Sequence, residues 1–267
     1  ARQRRRARAA FARRNRPAIG RKRACQPFPN PQPGPHAPSQ GPSMTASDMH
    51  FSFTLQGGAL QARASGILWW ADQRALCVSD LHLGKSLRAA KHGGAALPPF
   101  ETIDTLQRLG AEIAALNPET VICLGDSFDD ATASAELPRA IQTQLHRLQA
   151  GRRWIWIEGN HDPGPVALPG SHMGSLAMGP LVFRHIATPP GMGEISGHYH
   201  PKATVPTRAR PVTRPCFLLD QTRVILPAFG TYTGGLASSH PALAGLMGPG
   251  ALAVLTGPRA LALPMPR

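Results

Sequence analysis

Trp154-Ile155-Trp156-Ile157, followed across Glu158 by Gly159-Asn160-His161-Asp162, is the stretch on which the reading of this chain turns. Trp and Ile are strand formers, so the apolar run reads as a buried strand that delivers a polar turn at its C-terminal end. Ligands of open α/β sheets collect at such ends. Asn160 offers a neutral oxygen and His161 an imidazole, and neither helps a core unless something satisfies it. Gly-Asn and His-Asp are also ordinary turn residues. This stretch alone leaves both readings open, and the other strand ends decide between them.

Working outward, Val121-Ile122-Cys123-Leu124 reads as a second buried strand ending in Gly125-Asp126-Ser127-Phe128-Asp129-Asp130. Residues 50–78 alternate turn signals with short apolar runs and are expected to form two or three strands. The last of these points into Ser79-Asp80-Leu81-His82-Leu83-Gly84-Lys85. Glu101 to Leu116 has helical spacing, with Ile103, Leu106, Leu109, Ile113 and Leu116 on one face. Leu137 to Ala150 predicts a second helix through Leu137, Ile141, Leu145 and Leu148. On the C-terminal side, Leu181 to Arg184 is a strand that runs into His185, and Glu194-Ile195-Ser196 leads to Gly197-His198-Tyr199-His200-Pro201. The tail alternates strand-like runs, Cys216 to Leu219, Val224 to Leu226 and Ala251 to Leu255, with Gly-rich turns. The alternation of strands and helices is that of an α/β protein.

In chain order the polar residues at these ends are Asp80, His82, Asp126, Asn160, His161, His185, His198 and His200. Any one of them has a bland explanation as a turn residue or a satisfied histidine. Five strand ends bringing carboxylate, amide and imidazole to the same edge of a sheet form a costly desolvated cluster unless a cation holds them. Imidazoles mixed with carboxylates and an amide oxygen, without thiolate, suit Mn²⁺, Fe²⁺ or Zn²⁺ better than a structural cysteine site. The ligands are too many for one ion. Two ions about 3.5 to 4 Å apart, sharing a bridging carboxylate, accommodate them and form a clamp for in-line attack on phosphorus.

The blocks Asp80-x-His82, Gly125-Asp126, Gly159-Asn160-His161-Asp162, His185 and Gly197-His198-x-His200 resemble, in order, those of the calcineurin-like metallophosphoesterase superfamily. The resemblance implies a four-layer α/β/β/α sandwich. It implies one metal held by Asp80, His82, Asp126 and His200, and another by Asp126, Asn160, His185 and His198, with Asp126 bridging. It makes His161 a group that faces the scissile phosphate, as general acid or charge stabiliser, and not a ligand. Longer stretches, 79–86, 124–128, 193–201 and 225–235, are similar to the bacterial ligase-associated DNA-damage-response (PdeM-type) endonucleases, over about residues 51–263. That likeness implies a phosphodiesterase or nuclease, single-stranded DNA as substrate, Mn²⁺ as metal, and functional association with an ATP-dependent DNA ligase, a large helicase and a metallo-β-lactamase-type nuclease. These relatives carry His where this chain has Asp129, so Asp129 and Asp130 are expected to support the site or cap turns. Asp162 has two readings, an acceptor that orients His161 or a turn cap. Lys85 and Arg88 are candidate phosphate contacts, with solvated surface charge as the alternative. His36, His50, His92, His146, His172 and His240 fall outside the blocks and are expected at the surface.

Charge divides by region. The net charge is +14, yet residues 1–43 hold 11 of the 29 Lys and Arg and none of the 15 Asp and Glu, which leaves 18 basic against 15 acidic residues for 44–267. A basic-patch argument for nucleic acid therefore rests on the first segment alone, and DNA is inferred from the resemblance. Residues 1–43, rich in Arg and Pro, are expected to be disordered, with residues 44–267 as the folded domain. The head has three readings: a start placed too early, with Met44 or Met49 as initiator, a basic arm for nucleic acid, or a transit-like peptide. Cys25, Cys77, Cys123 and Cys216 lie far apart in no metal or disulfide pattern, which favours a cytoplasmic protein. No run approaches the roughly 18 apolar residues of a membrane span. Beside the nuclease reading stand a phosphohydrolase for nucleotides or other small esters and a metal-free scaffold.

Overall fold

Apolar residues occupy both faces of the central strands, and this double burial stacks the layers. The computed structural model describes residues 48–91, 98, 100–130 and 132–267. The expected disordered head, Cys25, His36 and His92 lie outside the described residues.

The first sheet runs in chain order through β1 (His50–Leu55), β2 (Gly58–Arg63), β3 (Leu68–Trp70), β4 (Ala75–Val78), β5 (Thr120–Leu124), β6 (Arg153–Ile157) and β7 (Ser171–Met173). Its first four strands form an antiparallel meander, one strand more than expected, and β4 to β7 are parallel. Parallel neighbours need crossovers. α1 (Lys85–Lys91) and α2 (Glu101–Leu116) join β4 to β5, while α3 (Ala133–Glu136) and α4 (Arg139–Gln149) join β5 to β6. The second sheet contains β8 (Ser175–Met178), β9 (Leu181–Arg184), β10 (Glu194–Ser196), β11 (Lys202–Val205), β12 (Val212–Leu219), β13 (Arg223–Ile225), β14 (Leu252–Leu255) and β15 (Leu261–Pro264). Its spatial order is β15-β14-β12-β13-β10-β9-β8, with β11 paired to β12, and β9, β10 and β13 are parallel.

Period-two alternation divides each central strand between two cores. Cys77, Ile122, Leu124, Ile155 and Ile157 of the first sheet meet Phe183, Ile195, Phe217, Leu219 and Val224 of the second. Leu76, Val78, Val121, Cys123, Trp154 and Trp156, one residue out of phase, pack under Leu106, Leu109, Ile113, Ile141 and Leu145 of the helices. A third cluster covers the outer face of the second sheet with Cys216, Leu218, Ile225 and Ala253 beneath Leu243 and Met247. This is the α/β/β/α sandwich, with a thin fourth layer: α5 (Pro241–Ala244) and adjoining loops stand where the first sheet has two long helices.

Two helix details differ from expectation. α2 has the expected bounds, but Ile103 is 41% exposed and the buried face runs through Thr102, Thr105, Leu106, Leu109 and Ile113. α4 begins at Arg139, because Pro138 keeps Leu137 out of the helical region; Leu137 sits at φ −57°, ψ 138° and is buried from the link instead.

Candidate metal centre

Every polar block lies just beyond a strand's C-terminal end. Asp80 and His82 follow β4, Asp126 follows β5, and Asn160 and His161 follow β6; His185 follows β9, and His198 and His200 follow β10. The expectation of one sheet edge is corrected here: three of the five ends belong to the first sheet and two to the second, because β9 pairs with β8 and β10, and β10 with β13, none of them with β7. The β4 and β5 exits stay in register past their strands, with the His82 N–H donating to the Asp126 carbonyl (2.9 Å) and the Leu83 N–H to that of Ser127 (2.9 Å). Nine non-glycine residues among those described have positive φ, and five of them are Asp80, His82, Asp126, His198 and His200. Left-handed backbone costs an L-residue free energy and persists where surrounding structure over-determines it. Here it falls on ligand-type residues and sets the direction in which their side chains leave the backbone. Close approach also selects glycine: a Cβ on Gly197 would stand 1.7 Å from Ser79 Oγ, and one on Gly159 would stand 2.1 Å from the Asp126 nitrogen.

Among the described residues, three sets of candidate ligand atoms each lie within 4.8 Å of one another: Asp80, His82 and His200; Asp126, His185 and His198; and His82, Asp129 and His161. In the first, His200 Nε2 is 3.1 Å from Asp80 Oδ1 and 3.4 Å from His82 Nε2. Asp80 is fully buried, and its Oδ1 has no hydrogen-bond partner, while its Oδ2 accepts the His198 N–H (3.0 Å) and the Ser79 hydroxyl. In the second, His185 Nε2 faces Asn160 Oδ1 at 3.0 Å, His198 Nδ1 at 3.2 Å and Asp126 Oδ2 at 3.4 Å. One proton cannot serve three acceptors. His185 Nδ1 lies 2.8 Å from the Leu124 carbonyl, which fixes that nitrogen as the donor and leaves Nε2 for the centre.

The electrostatics ask for positive charge at the same place. Burial opposes a charged His185, but the Asp126 hydrogen bond and the charges of Asp80 and Asp126 outweigh it and raise the imidazole above its ordinary value. Burial likewise opposes ionised Asp126, yet His185 and the His161 N–H bring its carboxyl down to about 2. Burial and the neighbouring His185 lower His198. Orphaned Asp80 Oδ1, excess acceptors at His185 Nε2 and a donor set of O and N atoms all fit divalent cations.

His161 is half-buried at the rim. Its N–H donates to Asp126 Oδ1 (2.8 Å) and its Nδ1 lies 3.0 Å from the Asp129 carbonyl oxygen. Asp162 makes its described bonds elsewhere. Its carboxylate accepts the backbone N–H groups of Gly159 (3.1 Å), Asp126 (2.9 Å), Ser127 (2.8 Å) and Phe128 (3.2 Å), which is the turn-cap arrangement extended to two turns. Burial, with the charge of Asp126 adding, raises its carboxyl to about 6 against those N–H bonds. Asp129 is no cap: Oδ1 is 3.4 Å from His82 Nδ1 and Oδ2 accepts from Arg88 Nη1 at 3.1 Å. Burial raises that carboxyl, and the His82 and Arg88 contacts lower it further, so it stays below its ordinary value. Asp130 closes the turn that leads into α3, its Oδ1 accepting from the Thr132 and Ala133 N–H groups. Arg88 is committed to Asp129 and Asp130, and Lys85 is half-buried at the start of α1.

Of the histidines expected at the surface, His146 is exposed and His240 caps α5, whereas His172 is half-buried and stacks on Trp156 with ring centroids 6.5 Å apart. Of the longer stretches that carry the endonuclease likeness, 225–235 packs behind the first ligand loop. The Phe229 and Gly230 N–H groups donate to the Ser79 and Asp80 carbonyls, and Gly235 abuts His200. The Gly-rich spelling Phe229-Gly230-Thr231-Tyr232-Thr233-Gly234-Gly235 is its sequence signal. No described helix is long and apolar enough to cross a membrane.

A family model described as calcineurin-like phosphoesterase matches residues 73–207, a span that contains every candidate ligand. A crystal structure of Pseudomonas putida nuclease MPE is similar to this chain at 30% identity, covers 80% of it and 100% of its own length, and superposes with a TM-score of 0.62. A search of the curated proteins gives no match. With half the chain inside the family model and the ligand types of a divalent-metal centre gathered at five strand ends, the chain belongs to the calcineurin-like phosphoesterase family and is a metal-dependent phosphoester hydrolase.

Proposed function

We propose that this enzyme is a two-metal phosphodiesterase that cuts DNA, single-stranded in preference, with Mn²⁺ as its working metal and Fe²⁺ or Zn²⁺ as substitutes. The observation that carries the reading is the pair of ligand sets, Asp80/His82/His200 and Asp126/His185/His198, side by side at the ends of both sheets. Asp80, His82, Asp126 and His200 would hold one ion; Asp126, Asn160, His185 and His198 the other. The described contacts of the Asp126 carboxylate run to His185 and the His161 N–H, and its bridging role is part of the proposal. Bound divalent ions supply Lewis-acid charge for the non-bridging phosphate oxygens and acidify a water to serve as nucleophile near neutral pH.

The chain's own residues supply the rest. His161 Nδ1, facing a carbonyl oxygen, is the donor in that contact, so Nε2 is the nitrogen free to carry a proton to the leaving oxygen. The Asp126 carboxylate fixes the His161 backbone, and Arg88 holds the Asp129 carboxylate beside His82. The likeness to the Pseudomonas putida nuclease supports a nucleic-acid substrate. A ligase-associated repair role, alongside an ATP-dependent ligase, a large helicase and a metallo-β-lactamase-type nuclease, is supported by the sequence likeness. A cytoplasmic location is supported by Cys77, Cys123 and Cys216, all buried and free.

The test is hydrolysis of a generic phosphodiester, a generic phosphomonoester and a single-stranded oligonucleotide by metal-stripped protein restored with each divalent ion in turn. Diester and oligonucleotide cleavage, best with Mn²⁺, is expected. Monoester activity alone would move the enzyme to the small-ester class.

A further inference from the structure

A cleft of about 400 Å³ opens beside the second ligand set, and its lining includes Asn160 and His185 together with Arg184, Ile186 and Glu158. Arg184 and Ile186 flank His185 as β9 leaves the sheet, so in-and-out alternation puts both on the cleft while His185 turns into the centre. Ile186 is 44% exposed, one of the few large apolar side chains left open to solvent.

Charge beneath this wall is unbalanced. Glu194, 2% exposed, is shared by two guanidinium groups: Arg223 Nη1 donates to its Oε1 at 3.1 Å, and Arg184 Nε lies 3.4 Å from its Oε2. That Oε2 already accepts the Thr188 N–H and hydroxyl, both at 2.9 Å. Arg184 Nε accordingly has no hydrogen-bond partner though buried, and the guanidinium is anchored through Nη1 to Thr188 Oγ1 at 3.0 Å. Two cations on one carboxylate leave one positive charge over. Arg223 is 3% exposed and spends its Nη2 on the Thr188 and Pro190 carbonyls, so the surplus reaches the cleft only through Arg184, whose side chain is 33% exposed. A fixed, under-neutralised guanidinium beside a metal centre matches phosphate geometry. By contrast, Arg88, the candidate read from the sequence, is spent on Asp129 and Asp130.

We infer that Arg184 binds the phosphate next to the scissile one and that Ile186 packs against the intervening nucleoside, making this cleft a subsite for one nucleotide of a polynucleotide strand. The inference rests on the phosphodiesterase reading of the same centre. A volume of this order suits one nucleotide, within the usual range for ligand pockets. Glu158, the one acidic residue of the lining, repels phosphate and steers it to the Arg184 wall.

The test compares Mn²⁺-loaded parent, Arg184→Ala, Arg184→Lys and Glu158→Gln proteins on a single-stranded oligonucleotide and on a small generic diester that has no second phosphate. Arg184→Ala is expected to lower the ratio of oligonucleotide to small-diester kcat/KM about tenfold. In a His161→Asn background, where turnover is slow, Arg184→Ala should weaken the oligonucleotide Kd and reduce the slope of log Kd against log salt by about 0.7, the contribution of one single-strand phosphate contact. Arg184→Lys should keep the salt slope and lose part of the affinity. Glu158→Gln should tighten binding, and it serves as the independent variant if Arg184→Ala fails to fold. Arg147→Ala, on the exposed face of α4, should change none of these. An oligonucleotide-cleaving parent with unchanged ratio and salt slope in Arg184→Ala, or unchanged affinity in Glu158→Gln, overturns the subsite. A parent that cleaves no oligonucleotide overturns the nuclease reading itself, and the subsite with it.

Discussion

His161 is tied at its backbone to Asp126 and at Nδ1 to the Asp129 carbonyl, so its orientation does not depend on a bound ion. Replacing it with Asn should therefore leave metal content at the parental level, read by elemental analysis, and slow turnover about a hundredfold or more. Unchanged turnover would remove His161 from the mechanism. Asp126→Asn is expected to do the opposite, lowering bound metal, since its carboxylate meets both His185 and the loop that carries His161. Away from the centre, Asp220 shows how a single carboxylate couples folding to pH. Its Oδ1 accepts from Thr222 and Arg223, and its Oδ2 from the Gly248 N–H at 2.7 Å. Burial opposes its ionisation, those N–H bonds outweigh burial, and the carboxyl sits below its ordinary 3.8. A depressed folded value stabilises the fold above 3.8 and is lost as pH falls through that folded value. The stability gap between the parent and Asp220→Asn should then be largest near neutrality and shrink as pH falls through the ordinary 3.8 towards the lower folded value, followed by urea unfolding at each pH. A gap independent of pH would mean that the carboxylate's charge plays no part.

Asp162 acts between elements, since it receives one N–H from the turn after β6 and three from the turn after β5, clamping two ligand-bearing exits together. Truncation to Ala would strand four buried donors at about 1 to 3 kcal/mol each before relaxation. Asp162→Ala is expected to lose on the order of 3 kcal/mol or more in unfolding free energy and to lose metal affinity with it; a pure kcat loss at full stability would instead return Asp162 to orienting His161. Its two uses were indistinguishable in sequence, because a carboxylate beside a histidine spells both. What was legible had redundant signals. β4, β5 and β6 carry the apolar runs 75–78, 121–124 and 154–157, each leading through Ser79, Gly125 or Glu158-Gly159 to a ligand-type residue, and α2 repeats its spacing over four turns. β7 and β11 carry no such pattern: Ser171-His172-Met173 and Lys202-Ala203-Thr204-Val205 are short, part-exposed strands defined by a neighbour's hydrogen bonds. The same limit applies to Arg184, whose significance lies in Glu194 being shared with Arg223, a pairing 39 positions away from it across β10 and β13. Sequence spacing reports faces of one element; it does not report which charges meet between elements.

At the scale of the molecule, the ligand sets draw on both sheets: Asp80, His82 and Asp126 leave the first, His185, His198 and His200 the second. The inter-sheet core of Ile122, Ile155, Phe183, Phe217 and their neighbours holds the sandwich by apolar burial along its length. At the ligand end the layer is polar instead, with Asp80, His82, Asp126 and His185 all under 5% exposed and more acceptors than donors among them. This end depends on cation charge for its satisfaction in a way that the rest of the core does not. A ligand that binds only the folded state stabilises it by RT ln(1 + [L]/Kd), about 2.7 kcal/mol at a hundredfold excess over Kd. For a folded region of this size each kcal/mol is worth about 2 to 4 °C. Stripping metal with a chelator should therefore lower Tm by about 5 to 10 °C, and stepwise return of Mn²⁺ should restore it in a concentration-dependent manner. The Asp126→Asn protein should start from a lower Tm and respond little to added Mn²⁺, because a carboxylate of the centre is gone. The chelator-treated parent should also show faster amide exchange at residues 79–82 and 197–200, where the strained ligand turns face each other, with little change at the apolar strands 121–124 and 216–219. Exchange at 79–82 and 197–200 that chelation leaves unchanged would mean that the cation is held by a centre the fold has already completed without it.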